Sequence, residues 1–188
     1  MYDKALRDGD FLSGNTSRRS KSAKFPAKFS VSRYSQWPKN TPNCVALTPC
    51  IVPAAGRPNF TLADNEMEMG VGIHGEPGRR RVSLASADAI ADELVGAILN
   101  DLAPKPGSEV LLLINGFGAT PLIQLYLMVN SAKRILQDAG ITVTRFLTGS
   151  YVTALDMAGA SVTVSLLEGQ AKALWDAPVH TAALRWGA

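Results

Sequence analysis

Histidine and cysteine are scarce in this chain, with two of each among 188 residues. Cys44 and Cys50, read as sharing one extended strand, lie roughly 20 Å apart at ~3.3 Å per residue. A disulfide needs Cα atoms within about 7 Å, so that reading excludes a bridge. Two isolated thiols do not make a zinc site either. No apolar run approaches the ~18 to 20 residues that cross a bilayer, which excludes a spanning helix. The N-terminus lacks the apolar stretch of a secretory signal, so the chain reads as cytoplasmic and free of membrane.

Basic charge is missing from most of the chain as well. The formal net charge is +3, yet residues 1–40 hold nine Lys or Arg against three Asp, and the remainder holds ten basic and thirteen acidic residues. A nucleic-acid surface needs a basic patch on the folded part, and the body offers none. The start of the chain, with Ser17-Arg18-Arg19-Ser20-Lys21-Ser22, has too little apolar surface to offset the entropy of ordering. It reads as a disordered or unrelated basic leader, residues 1–43. Asp3, Asp8 and Asp10 set it apart from an organelle transit peptide.

What is present is a regular alternation of elements. Order is expected from Cys44, where Cys44-Val45-Ala46-Leu47-Thr48-Pro49-Cys50-Ile51-Val52 reads as a strand interrupted or edged by Pro49. Ser86 is a good N-cap, with Asp88 early in the helix where the dipole favours it. Ile90, Leu94, Val95, Ile98, Leu99 and Leu102 then form a helical stripe that Pro104, Pro106 and Gly107 end. Val110-Leu111-Leu112-Leu113-Ile114 reads as a strand covered on both faces. Thr120 is a plausible cap and Pro121 a first position for a second helix, closed by Gly140. Strands over 141–147 and 160–167 and a short helix near 171–175 complete the body. Strands alternating with helices indicate an α/β fold, a layered and partly parallel sheet flanked by helices.

One stretch carries chemistry. In Glu66-Met67-Glu68-Met69-Gly70-Val71-Gly72-Ile73-His74 the odd positions are apolar, the pattern of a strand with one face in the core. On the other face Gly70 and Gly72 lead to the imidazole of His74, and strand glycines often mark the close approach of a ligand. Gly75, Glu76, Pro77 and Gly78 then turn the chain. Glu66, Glu68 and Glu76 surround the histidine, and a carboxylate there can orient it or raise its pKa.

The rival sites are weaker. Gly116-x-Gly118 after a strand suggests a phosphate loop, but Pro121 stands where a third glycine belongs and no Walker lysine follows. A tight turn serving packing suits those residues better. His180 reads as a surface or packing histidine in a terminal loop, and Asp156 as a residue that turns or caps backbone. With no second histidine or cysteine near His74, a metal site is not expected.

The segment Glu68-Met69-Gly70-Val71-Gly72-Ile73-His74-Gly75-Glu76-Pro77-Gly78 resembles the substrate-binding motif of dihydroxyacetone (glycerone) kinases, in their K subunit or K domain. The resemblance extends to the C-terminus through Asn115-Gly116-Phe117-Gly118-Ala119-Thr120-Pro121, through the stretch Ser150-Tyr151-Val152-Thr153-Ala154-Leu155-Asp156-Met157-Ala158-Gly159, and through Leu174-Trp175-Asp176-Ala177-Pro178-Val179-His180-Thr181. It implies that His74 holds dihydroxyacetone as a covalent hemiaminal, with Gly70, Gly72, Gly75 and Glu76 around the substrate. The chain itself would bind no cofactor. ATP or ADP and magnesium would sit on a partner kinase subunit or domain, and the K-type chain would itself be a homo-oligomer in glycerol and triose metabolism.

Two departures qualify what the resemblance implies. The family's K unit is about twice as long, and its first half supplies another histidine, a lysine and an aspartate. Residues 1–43 contain no counterpart of these, so 44–188 reads as the C-terminal half of a K-type domain, inactive alone. Gln124 stands where the family is expected to have a glutamate. The resemblance leaves two alternatives: a truncated, non-catalytic binding or assembly piece, and a subunit acting on a four-carbon ketose such as erythrulose.

Overall fold

A computed structural model describes residues 40–52, 56–71 and 78–187. Most of the leader, residues 1–39, lies outside the described residues. The strands are β1 (Asn40–Ala46), β2 (Ile51–Val52), β3 (Arg57–Pro58), β4 (Glu66–Met69) and β5 (Arg80–Ser83), followed by β6 (Glu109–Gly116), β7 (Thr142–Gly149), β8 (Gly159–Leu166), β9 (Val179–His180) and β10 (Arg185–Trp186). The helices are α1 (Ala87–Leu102), α2 (Leu122–Asp138) and α3 (Ala171–Asp176).

Six strands form one sheet in the order β5-β4-β1-β8-β6-β7. Only β6 and β7 run parallel, because α2 carries the chain back between them; the other neighbours are antiparallel. The sheet is thus mixed, and the expected parallel part is confined to this one crossover.

Both long helices cover one face. Val110, Leu112 and Ile114 of β6 and Val162 and Val164 of β8 are fully buried there, against Leu94, Val95 and Ile98 of α1 and Ala132 and Leu136 of α2. Ser86 caps α1 as read: its Oγ accepts the Ala89 N–H at 3.2 Å. Asp88, in the first turn, also accepts from Ser131 Oγ at 2.6 Å and Arg134 Nη2 at 2.9 Å, so the start of α1 is tied to α2. The opposite face of β6 is covered less. Leu111 is half-buried beneath a cavity of about 350 Å³ lined by α3 and the β9–β10 hairpin, including Leu174, Trp175 and Trp186.

Several local readings change. Strand β1 begins at Asn40, ahead of Cys44 and across the 43/44 boundary, because residues 40–46 pair in full with β8. The stretch from Cys44 to Val52 is not one strand. It leaves the sheet after Ala46, where Leu47 and Thr48 both donate backbone N–H groups to the Ala158 carbonyl, and Ile51–Val52 pairs instead with Arg57–Pro58. Cys44 therefore lies in β1 and Cys50 in the connection before β2, and both are free thiols. Arg80–Ser83 forms strand β5, which the sequence pattern did not suggest. Thr120 does not cap α2; Pro121 holds the N-cap position with no side-chain bond.

A second apolar cluster joins Ala46, Cys50, Val71, Phe117, Ala154 and Met157, with Cys44 packed against it. Burial pushes the Cys44 thiol up to about 11. The thiolate is therefore disfavoured in the fold relative to the unfolded chain. Stability from this residue should be complete below the usual thiol range near 8.5, fall as pH rises toward about 11, and level off above it. Urea titrations between pH 8 and 11 should show this alkaline loss, and Cys44→Ser should reduce it. An equal loss in the serine variant would assign it to other groups.

Candidate functional site

The histidine motif is the connection between two hairpin strands. Met69 pairs with Arg80 at the end of the β4–β5 ladder. Gly70 then takes a left-handed backbone, φ 73°, and ends the strand, with its N–H donated to the Cys44 carbonyl at 2.7 Å. This conformation suits glycine, and a Cβ there would lie 2.9 Å from Arg79 Cγ. The strand thus stops well short of His74. Val71, 1% exposed, enters the second apolar cluster. Residues 72–77, and with them Gly72, His74, Gly75 and Glu76, lie outside the described residues.

The chain is described again from Gly78. Its N–H donates to Glu68 Oε1 at 2.6 Å, and the Arg79 N–H donates to the Met69 carbonyl at 2.8 Å. Glu68 belongs to the face assigned to Gly70 and His74, yet it is 5% exposed, and its other oxygen is buried with no hydrogen-bond partner among the described residues. Glu66 faces its own turn and accepts the Ala63 N–H at 3.1 Å.

Two further motifs interlock at the carboxyl end of β6. Asn115 is buried at the strand's end. Its Oδ1 accepts the N–H groups of Tyr151 and Val152 at 2.8 and 2.9 Å, and its Nδ2 donates to the Val152 carbonyl at 2.8 Å. The Phe117 carbonyl accepts the Ala154 N–H at 2.8 Å. Thr120 Oγ1 accepts the Gly159 N–H at 2.8 Å and donates to the Gly159 carbonyl at 2.6 Å. Gly118, φ 128°, lets the turn pass the other loop, since a Cβ there would stand 2.1 Å from the Leu155 carbonyl oxygen. The tight-turn reading of these glycines describes what the residues do. Asp156 also serves backbone: Oδ1 accepts the Ile51 N–H at 3.0 Å.

Val71, Phe117, Ala154 and Met157 bring three of the four motifs into one apolar cluster. The fourth motif lies apart. His180 is exposed in β9 opposite Arg185, a strand position where a loop was expected. Asp176 grips Arg145 of β7 through two bonds of 2.6 and 2.7 Å, and the guanidinium holds its carboxyl below the usual range. That motif fastens α3 to the sheet. Gln124 is exposed in the first turn of α2. Among the described residues no group of three or more His, Cys, Asp or Glu gathers to hold a metal ion, and no helix is long and apolar enough to cross a membrane.

Sequence reasoning passed over Asn115, read Thr120 as a helix cap and placed Glu68 beside the histidine; the structure gives all three to backbone groups of other segments. A polar residue closing the apolar run 110–114 was the available signal for Asn115. Nothing local marked Thr120, whose partner lies 39 positions on.

Comparison with known proteins matches residues 39–183 to the Dak1 domain. Over 167 residues the chain is 44% identical to the PEP-dependent dihydroxyacetone kinase, dihydroxyacetone-binding subunit DhaK, of Escherichia coli (strain K12), covering 76% of this chain and 47% of that protein. It is 37% identical over 144 residues to the D-erythrulose kinase of Mycolicibacterium smegmatis, covering 77% of this chain and 25% of that protein. Among solved structures, the dihydroxyacetone kinase operon co-activator Dha-DhaQ superposes with a TM-score of 0.69 at 31% identity, over 74% of this chain and 43% of that one. The chain spans about half the length of the first relative, and less of the other two.

Asn115→Ala should remove three bonds that hold the 150–159 loop to β6, and leave Val152 and Tyr151 backbone groups without their partner. A stability loss of ~2–4 kcal/mol is expected from chemical denaturation, since three hydrogen bonds are lost and each contributes about 0.5–1.5 kcal/mol net. A loss below ~1 kcal/mol would mean that water replaces the amide freely.

Proposed function

The chain belongs to the Dak1 domain family, and on that premise we propose that it is the substrate-binding part of a ketose kinase, holding dihydroxyacetone for phosphorylation of a terminal hydroxyl. One observation supports this most. The histidine connection starts from Val71, which is packed into the same apolar cluster as the turn at Phe117 and the loop at Met157. Three segments distant in sequence thus share one support, as a substrate site on a rigid scaffold requires.

In this reading His74 is the nucleophile. A neutral imidazole is available near pH 7 and attacks carbonyl carbon. A ring nitrogen bonds to the ketone carbon and the C=O π bond opens. The oxygen gains a proton while the other ring nitrogen gives one up, so the hemiaminal contains all the atoms of the ketone. Glycerol has no carbonyl and is excluded by the same chemistry. Gly70, Gly72 and Gly75 leave room for a three-carbon ligand, and Glu76 contributes to binding it. The chain itself binds no cofactor. The phosphoryl donor, ATP or ADP with magnesium, is carried by a partner kinase subunit or domain. The acid–base groups that complete the site come from residues outside this chain's matched half, and the K-type chains self-associate.

A second reading has its own support. The co-activator relative, at 31% identity, is named for regulation of an operon, which favours a binding or assembly role without turnover. The erythrulose kinase relative leaves a four-carbon ketose as a further substrate.

The full chain alone, given ATP, magnesium and dihydroxyacetone, should show negligible turnover, because general acid–base help is worth about 10²- to 10⁴-fold. Robust activity would mean that the required residues have been misjudged. Mixed with the N-terminal half of the Escherichia coli relative, the chain should give a hemiaminal signal with carbon-labelled ketone in NMR. His74→Asn should abolish that signal and His180→Asn should leave it intact. A reconstituted, active complex that binds ketone with no covalent signal at His74 would overturn the nucleophile assignment.

A further inference from the structure

The outer side of α2 opens with an apolar surface that the packing of the domain does not use. Leu122, Ile123, Tyr126 and Leu127 are between 50% and 79% exposed, while Leu125, Met128 and Val129 of the same turns are buried. Spacings of three and four residues put the exposed set on one side of the helix. The loop after β7 adds Tyr151, Val152 and Leu155, between 41% and 55% exposed. The two segments adjoin at the carboxyl end of β6. A Cβ at Gly116 would stand 2.9 Å from Leu125 Cδ1 and 3.0 Å from Ser150 Oγ. Asn115 holds the loop part in shape through the N–H groups of Tyr151 and Val152, so the surface is preformed and needs little ordering to bind.

Its size separates it from ordinary scattered exposure. At roughly half of ~200 Å² apiece, these large side chains present on the order of 700 Å² of apolar surface. The largest patch on a typical monomer is about 300–600 Å². A stable interface takes about 800 Å² from each partner. This surface with a narrow polar rim therefore supplies one side of a dimer contact.

Charge points to the partner. Residues 117–132 contain no charged side chain, and neither do residues 146–155. The next two charges along α2 are already engaged: Lys133 Nζ lies 5.4 Å from the Phe146 ring centroid, and Arg134 binds Asp88 at 2.9 Å. A charged partner would be met by complementary charges. In a two-fold contact, by contrast, a patch faces its own copy, and a charge at its centre would be buried against its like. An uncharged apolar face meets that condition.

We propose that this face is an isologous interface between two copies of the chain, with α2 packed across a two-fold axis against α2 of the second copy and the 150–155 loop beside it. The inference goes beyond the ketone reading, since it locates the surface of self-association and needs no chemistry at His74.

Sedimentation of the full chain without ketone tests it. At about 100 µM the parent should run as a dimer, twice 20.0 kDa, because interfaces of this size bind at micromolar affinity or tighter. Ile123→Glu, at the most exposed position, should keep the parent's circular dichroism. It should weaken the dimer at least about a hundredfold, since each half then buries an unpaired carboxylate. Ile123→Leu should retain the dimer. Leu84→Glu, at a half-exposed position after β5 on the far edge of the sheet, should retain it too. Amide exchange over residues 122–127 and 150–155 should slow as concentration rises in the parent and not in Ile123→Glu. A parent that stays monomeric, a dimer indifferent to Ile123→Glu, or protection confined to other segments overturns the inference. So does a monomeric parent that binds the N-terminal half of the Escherichia coli relative and loses it in Ile123→Glu, which would give the face to that half. A missing hemiaminal signal bears on the ketone reading alone.

Discussion

Thr120 and Gly159 exchange two hydrogen bonds, and the arrangement around the carboxyl end of β6 depends on that exchange. The hydroxyl both donates and accepts, so it substitutes for a short piece of β-ladder where the turn after β6 meets the start of β8. The contact is close because Gly159 has no side chain. A Cβ there would stand 2.4 Å from the Val45 carbonyl oxygen and 2.9 Å from the Phe117 ring. The Phe117 N–H also donates to the Gly159 carbonyl, at 3.2 Å. Three strands, β1, β6 and β8, thereby meet at one glycine, and Phe117 is fully buried against it.

From that point the support spreads outward. Asn115 secures the loop after β7, Asp156 reaches back to Ile51, and Val71 brings the histidine connection into the same apolar cluster. Asn115 and Asp156 act there as side chains that satisfy backbone groups in loops. The polar residues in the family-like motifs that the structure describes serve mostly in this way.

Much of the fold was legible. Helix α1 follows from Ser86, Asp88 and the stripe from Ile90 to Leu102, since capping and a 3.6-residue period are local properties. Strand β6 follows from its apolar run. The reading of Glu66–His74 as one strand holds as far as Met69, because the alternation of residue types runs on past the point where Gly70 adopts a left-handed backbone. Periodicity reports which side chains could face a core, and says nothing of where the ladder ends. Strand β5 was invisible for a related reason: Arg80 and Arg81 give it no apolar alternation, whereas an edge strand tolerates such residues.

By itself the sequence determined the alternation of helices and strands, the two-faced helices and the family resemblance. These rest on residue type and short spacing. Tertiary structure alone decided that most of the sheet is antiparallel, that the chain leaves the sheet between Cys44 and Cys50, and that Thr120 serves Gly159 and does not cap a helix. It also decided that Glu68 turns inward to hold Gly78. Each of those outcomes joins groups far apart in the chain or depends on space at a single atom. Local propensity has no access to either, because the partner is defined only once the chain has folded.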